Sequence, residues 1–473
     1  MSRAGPPASP AGGSGALFGP GRRGLLLGIV AVISLVAFEA MAVATAMPRA
    51  VADLHGLAFY AWAFSGYAVA GLFAMVVAGE MCDRRGPRMP LLGGVAVFTV
   101  GLLVAGTAAD MAAFVAARAL QGLGGGAVVV AIYVVVARAY DESLRPRVFA
   151  VMSSAWVLPA IIGPAVAGLV TDRWSWRWVF LADAALVVPA VLAMWRALPA
   201  SNAVRADRRP GRKRAAAMVA SGAACLQYAG QRLDLAGAAF AAAGLALVAT
   251  GLPLLLPRGT MRFDRGLPTV IAMRGVLAGS FFGAEAFVPL MLVSQRNLST
   301  TAAGLCLTGG AAGWAGGSAF QGRPGNTWPR YRLVRLGCLL VVVAITGVAL
   351  AASAAVPPQL ALVSWTVGGA GMGMAMASIA VLMLDLSPLA DQGANSAAIQ
   401  IADGLFSVVC IGIGGVVFAA AARSGTVGVW AFVMIDALMA SLALLGVVVA
   451  GRVRPPPTLR RPAPWPPRAQ RGP

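Results

Sequence analysis

Charge is scarce in this sequence. Only 11% of its 473 residues are charged and 59% are hydrophobic, whereas a soluble globular chain carries roughly 25% charge. That balance excludes a water-soluble fold. Histidine occurs once, at His55, which leaves no two-histidine metal motif. The lone lysine, Lys213, follows Arg212, so no Gly-Lys pair exists to build a phosphate-binding loop, and nucleotide hydrolysis through one is excluded. No Gly-x-Ser-x-Gly nucleophile elbow is present either. The five cysteines, Cys82, Cys225, Cys306, Cys338 and Cys410, are scattered; they suggest no disulfide framework and act as small hydrophobes. The chain is therefore read as a non-enzyme without cofactor or metal. If it moves something uphill, an ion gradient must drive it.

What is present is apolar length. Stretches of roughly 17 to 25 residues recur from Leu25 to Val449, each long enough to cross a hydrocarbon core of about 30 Å. The mean hydropathy is +0.80. Net charge is +20, and its placement matters. If the N-terminus lies in the cytoplasm and sides alternate, most basic residues fall on inner segments. The outer loops then keep only Arg49, Arg173, Arg177, Arg232, Arg296 and Arg423. This is the positive-inside pattern, and it accounts for the charge better than nucleic-acid binding does. The first stretch resembles a signal peptide in position, but its length, its internal Glu39 and the spans behind it argue against cleavage. The doubtful spans are 215–230 and 234–256; only if both cross do RYRLVR (331–336) and the C-terminal tail return inside. The expectation is fourteen transmembrane helices.

Weak internal symmetry runs through the chain. QGLGGGA (121–127) is echoed by GGAGMGMA (368–375), and GEMCDRRGPR (79–88) by GSAFQGRPG (317–325). Such repeats underlie transporters that open alternately to each side. The expected division is a cytoplasmic tail (1–24), a six-helix bundle (25–198), a linker region (199–267) with an inserted helix pair, a second six-helix bundle (268–450) and an Arg/Pro-rich cytoplasmic tail (451–473).

These residues together resemble the major facilitator superfamily of transporters, of the fourteen-helix drug:proton antiporter type. GEMCDRRGPR matches the signature of the loop between the second and third spans through Gly79, Asp83, Arg84, Gly86 and Arg88, with departures at Met81 and Pro87. ARALQGLGGG matches the fourth-span motif through Arg118, Gln121 and Gly122. PAIIGPAVAG matches the fifth-span antiporter motif through Gly163, Pro164 and Gly168, although Pro159 and Ala167 stand where glycines are usual. Glu39 precedes Pro48 by nine residues, as the family's first-span acid precedes its proline. The resemblance implies two six-helix bundles with two added linker helices, and no catalytic site. It implies transport of a small molecule with protons, in the lipid of a bacterial cytoplasmic membrane, by a multi-pass monomer with both termini inside.

The candidate sites follow. Glu39 lies roughly 21 Å from the inner end of its span and Arg118 roughly 10 Å from the outer end of its own, so both reach a similar depth. In the family fold their helices face one cavity. A nearby arginine favours the charged carboxylate and burial the neutral acid; a group so balanced can exchange protons, and a cationic substrate can compete for it. The bland alternative is a static ion pair. Glu285, beside Phe281, Phe282 and Phe287, suits a lipophilic cation through charge and cation–π contacts, or is a structural partner. Arg274 lies about three turns earlier, too far for a direct bond. Asp183 and Asp403 lie near span ends where water reaches, and Asp436 is deeper without a motif. The 79–88 loop is read either as a latch between the halves or as a cluster obeying charge topology. Gly163-Pro164 is a hinge, a seal against proton leak or plain shape. Tyr60, Trp62, Phe64 and Tyr67 are read as an interfacial belt or, for some of them, as lining of the cavity mouth, and Trp174, Trp176 and Trp178 as a belt. The function expected is proton-coupled export of amphipathic, including cationic, compounds. A symporter or an exporter of one metabolite is the alternative.

Overall fold

In lipid every backbone N–H and C=O must be paired within the protein, and helices do this segment by segment. The computed structural model describes residues 22–140, 144–195, 198, 211–229, 235–323, 326–388, 392–423 and 427–454. Among them are fifteen α-helices and no strand. In chain order they are α1 (Arg22–Asp53), α2 (Trp62–Arg85), α3 (Arg88–Gly106), α4 (Met111–Ala139), α5 (Arg145–Arg173), α6 (Arg177–Trp195), α7 (Arg212–Ala229) and α8 (Leu235–Gly251). The remainder are α9 (Leu267–Glu285), α10 (Val288–Arg296), α11 (Thr300–Gln321), α12 (Arg330–Ala351), α13 (Gln359–Leu386), α14 (Gln392–Arg423) and α15 (Val429–Val449).

Among the described residues, eleven helical segments are long and apolar enough to cross a membrane, α9 and α10 counting as the single segment Leu267–Arg296. The three of the expected fourteen outside that set are α5, α7 and α11. Helix α7 is short, and it opens on Arg212, Lys213 and Arg214. Of the tails expected from the sequence (1–24 and 451–473), residues 1–21 and 455–473 lie outside the described residues.

The two halves repeat one packing scheme. In the first half α1 packs on α5 and α6, α2 on α4, and α3 on α4 and α6. In the second, α9 packs on α14 and α15, α11 on α13, and α12 on α13 and α15. The closest crossings, α2 on α4 and α11 on α13, run along small residues, which let helix backbones approach where no hydrophobic force distinguishes protein from lipid. Helix ends are fixed locally. Asp110 caps α4 by accepting from the Ala113 N–H (2.8 Å), and Ser299 caps α11 by accepting from the Ala302 N–H (3.1 Å). Gly86 ends α2 at φ 80°, a conformation that side chains disfavour. We call the end of the bundle where α1 starts the near end, and the other the far end.

The halves meet along two seams. One is α5 against α11, with α1 also touching α10 and α11; the other is α2 against α14. Helix α7 touches both α2 and α14 and so lies over the second seam.

Candidate functional site

Glu39 lies among the buried residues of α1 and its side chain is itself buried (2% exposed). A lone carboxylate at this depth is costly, and it is met by a partner. Arg118 of α4, also 2% exposed, donates through Nη1 to Glu39 Oε1 and to Gln121 Oε1. Its Nε donates to the carbonyl of Ala63 in α2 at 2.8 Å, and its guanidinium lies 4.5 Å from the centroid of the Tyr67 ring. Helices α1, α2 and α4 thus converge on one guanidinium. Glu39 Oε2 and Gln121 Nε2 have no hydrogen-bond partner among the described residues. The site has spare acceptor and donor capacity.

Sequence reasoning singled out Glu39 and Arg118, and the fold brings them together. Gln121 was noted only as a motif residue and Tyr67 as a belt or cavity-mouth aromatic; both contact Arg118. Asp183 was expected within reach of water; it is instead 1% exposed, close to Glu39 in the electrostatic surroundings of the cluster. It lies on the α6 face that packs against α1, and length along the helix alone did not reveal that.

The second acid sits at a break. Helix α9 stops at Glu285, Ala286 and Phe287 form a turn, and α10 resumes with Pro289 in its first turn. Proline has no N–H to return to the carbonyl of Glu285, so the ladder opens here. One residue on, the Ala286 carbonyl accepts from the Tyr60 hydroxyl of the other half at 2.5 Å. Glu285 is partly buried beside Trp365 and Cys306. Phe281 stacks on Trp365 (4.6 Å between centroids, 20° between planes), and Phe282 stacks on Trp314 (6.2 Å, 30°). Phe287 does not join them. It packs with Tyr60 (5.5 Å) and Phe418 (5.9 Å) in a separate cluster across the seam. Trp314 and Trp365, from α11 and α13, are the aromatics the sequence did not flag.

Other charges find local roles. Arg274 pairs with Asp403 of α14 (2.6 Å), each about one-fifth exposed, which agrees with its distance from Glu285. Asp436 is buried at 5% exposure. In the 79–88 motif, Arg84 pairs with Glu80 one turn earlier, and Arg88 lies over the ring of Trp195 in α6 (5.4 Å). Both are held within the first half. Gly79 has room for a side chain, and the side chain of Asp83 lies outside the described residues.

The fifth-span motif lies on the seam. A Cβ on Gly304 of α11 would overlap the Pro164 carbonyl, and one on Gly168 would fall 2.6 Å from Thr301 Cα. Gly163 faces Phe38 of α1. One turn beyond Gly168, Asp172 spans the halves at the far end. It accepts from the N–H of Thr300 (3.2 Å), the N–H of Thr301 (2.8 Å) and the Thr301 hydroxyl (2.6 Å), at the positive start of α11. A cleft of about 420 Å³ opens beside it, lined by Arg49, Asp53, Trp176 and Ser299 among others. Trp174 and Trp178 are 72% and 55% exposed, as a belt would require. The belt reading fails for Trp176 and Tyr60, both fully buried: Trp176 packs edge-on to Phe114 and Phe180 and donates to Asp53 (3.0 Å), and Tyr60 crosses the seam.

The comparisons with known proteins agree with this architecture. Two solved peptide transporters of the POT family share the fold: an auto-inhibited one (TM-score 0.65, 16% identity, 92% of this chain and 99% of that one) and PepTSo (0.67, 14%, 91% and 98%). At that identity the likeness concerns fold alone. Among relatives, the multidrug transporter protein MdtP of Bacillus subtilis is 28% identical over 174 residues, 37% of this chain and 32% of its own. Multidrug resistance protein 3 of the same organism is 32% identical over 157 residues, 33% and 30%. An MFS-type transporter of Mycobacterium tuberculosis is 32% identical over 187 residues, 39% and 27%. The chain thus spans less than a third of the length of each of these relatives. The model of the Major Facilitator Superfamily matches residues 27–409. With that match over most of its length, the chain belongs to the Major Facilitator Superfamily of membrane transporters.

Proposed function

We infer that the protein is a proton-coupled secondary transporter that exports amphipathic small molecules, cationic ones among them, by alternating access. The observation that carries this reading is the buried Glu39–Arg118 pair, which leaves one carboxyl oxygen unpartnered at mid-bundle. Two six-helix bundles (25–198 and 268–450) and an inserted pair cross the membrane fourteen times, with both termini in the cytoplasm and the near end inside. The setting is a bacterial cytoplasmic membrane, and the working unit is a monomer. Glu39 takes the proton, Arg118 tunes it, and Glu285 with Phe281, Phe282, Trp314 and Trp365 contacts the substrate. Phe287 shapes the seam. The names of two Bacillus relatives, a multidrug transporter and a multidrug resistance protein, support a broad substrate range.

The test is dye retention in a bacterial host stripped of its own pumps. The intact protein is expected to lower accumulation of several unlike dyes, and Glu39→Gln or a protonophore is expected to abolish that. Dye levels that never change would remove broad export and favour a single metabolite. Efflux surviving Glu39→Gln at matched expression would make the pair scaffold.

The far-end clasp supports an inward-facing reading, with Asp83, Arg84 and Arg88 forming the latch only in the opposite state. Asp172→Ala removes three hydrogen bonds to a helix start, shifting the closed–open balance by roughly 1–3 kcal/mol. Cys306, now 2% exposed on α11, is expected to react faster with an external, membrane-impermeant maleimide when it is the sole cysteine. An unchanged rate would show that Asp172 does not hold the far end shut.

A further inference from the structure

Asp183 has no counterpart in the account so far. It is 1% exposed, and neither carboxyl oxygen has a hydrogen-bond partner among the described residues. Its charged neighbour is Glu39, whose Oε2 also lacks a partner. Burying an unpaired carboxylate costs several kcal/mol. An acid left this way therefore holds a proton or meets a cation.

Helix α6 packs on α1 and α3, and lightly on α5. From α1 the facing group is Glu39, and Tyr67 of α2 stands in electrostatic reach of Glu39, Asp183 and Arg118. The charged residues of α3 and α5 sit at their ends: Arg88 on one, and Arg145, Arg147, Asp172 and Arg173 on the other. The cluster thus counts one guanidinium and two carboxyl groups, and the donors of the guanidinium are directed at Glu39, Gln121 and Ala63. With both acids ionised the buried cluster carries one uncompensated negative charge. One added positive charge makes it neutral.

We propose that Asp183 is a second proton-carrying carboxyl of the Glu39–Arg118 site, and that the cluster holds one exchangeable unit of positive charge: a proton in one half of the cycle, the cationic group of a monovalent substrate in the other. The proposal rests on the proton-coupled reading above. The exchange balances. On the cytoplasmic side the carboxyl O–H bond of the cluster, on Asp183 or Glu39, breaks, its proton passes to water and the substrate cation takes its place; on the other side the cation leaves and water returns a proton to the carboxylate. Export of a monovalent cation by this route moves no net charge across the membrane. A pH gradient drives it, and a membrane potential does not.

Two measurements on the full-length purified protein test this. Infrared difference spectra recorded across a pH step read protonated carboxyls without any substrate. The intact protein is expected to show the C=O stretch of a buried carboxyl that lacks hydrogen bonds. Asp183→Asn is expected to lose that band, while the acid-retaining Asp183→Glu keeps it. A band absent from the intact protein, or surviving Asp183→Asn, overturns the assignment. In vesicles under a pH gradient, ethidium, a monovalent organic cation, is expected to move at the same rate whether or not the potential is clamped with valinomycin and potassium. Asp183→Asn is expected to slow that movement at least ~10-fold. Movement that follows the potential overturns the one-charge exchange. If the intact protein moves no ethidium while the infrared band behaves as stated, cation export fails and Asp183 remains a proton carrier.

Discussion

Purified Arg118→Ala protein is expected to lose about 3–5 kcal/mol of stability, the usual cost of leaving one member of a buried ion pair alone. Arg118 is the shared partner of Glu39, Gln121 and the Ala63 carbonyl, and it also lies over the Tyr67 ring. Removing it strands a carboxylate at 2% exposure and empties the space of a long side chain. Adding Glu39→Gln should recover much of the loss, because an amide at that position carries no uncompensated charge. The double variant should then fold and fail to couple. Thermal unfolding of the single and double variants in detergent checks this as a cycle. If the double variant is no more stable than Arg118→Ala, the arginine acts by packing and the charge pairing contributes little.

Gly369→Leu is expected to yield no folded protein, whereas Gly316→Leu is expected to be tolerated. The two glycines lie on the same packed pair of helices, α13 and α11. A Cβ on Gly369 would overlap the backbone carbonyl of Gly310, and backbone cannot rotate out of the way; a Cβ on Gly316 meets nothing within 4 Å. Overpacking typically costs 1–3 kcal/mol when side chains can shift, and here they cannot. Gly122 is the first-half counterpart, with a Cβ falling onto the Tyr67 carbonyl of α2. Size-exclusion profiles of detergent extracts distinguish the outcomes. A monodisperse Gly369→Leu protein would mean that α11 and α13 part more readily than their contact geometry implies.

Much of this was legible in the sequence because membrane proteins advertise their constraints. The runs from Leu25 to Val449 had to be helices, since lipid offers no other partner for backbone polar groups. Glu39 and Arg118 stood out because an acid and a base inside apolar runs are too costly to be accidental. What remained hidden was rotational. Asp183 looked like an end-of-span acid when judged by its distance along α6, but its burial depends on which face meets α1. Tyr60 and Trp176 fitted an interfacial belt by depth alone; only the seam and the Phe114–Phe180 cluster make them core residues. Trp314 and Trp365 are far from Phe281 in sequence, and no local pattern links them. Asp172 lies beside the expected fifth-span motif, yet its partner is the start of a helix more than a hundred residues away.

The turn between α9 and α10 leaves a carbonyl whose donor belongs to the opposite half of the molecule. Tyr60 supplies to Ala286 what the missing turn of helix would otherwise have supplied, and the surrounding Phe287 and Phe418 rings exclude solvent from the bond. A buried backbone carbonyl does not stay bare, because its full desolvation penalty then goes unmet. The two halves therefore cannot part at the far end as dry surfaces: a water must enter as the phenol leaves, and opening and hydration become one event at Ala286.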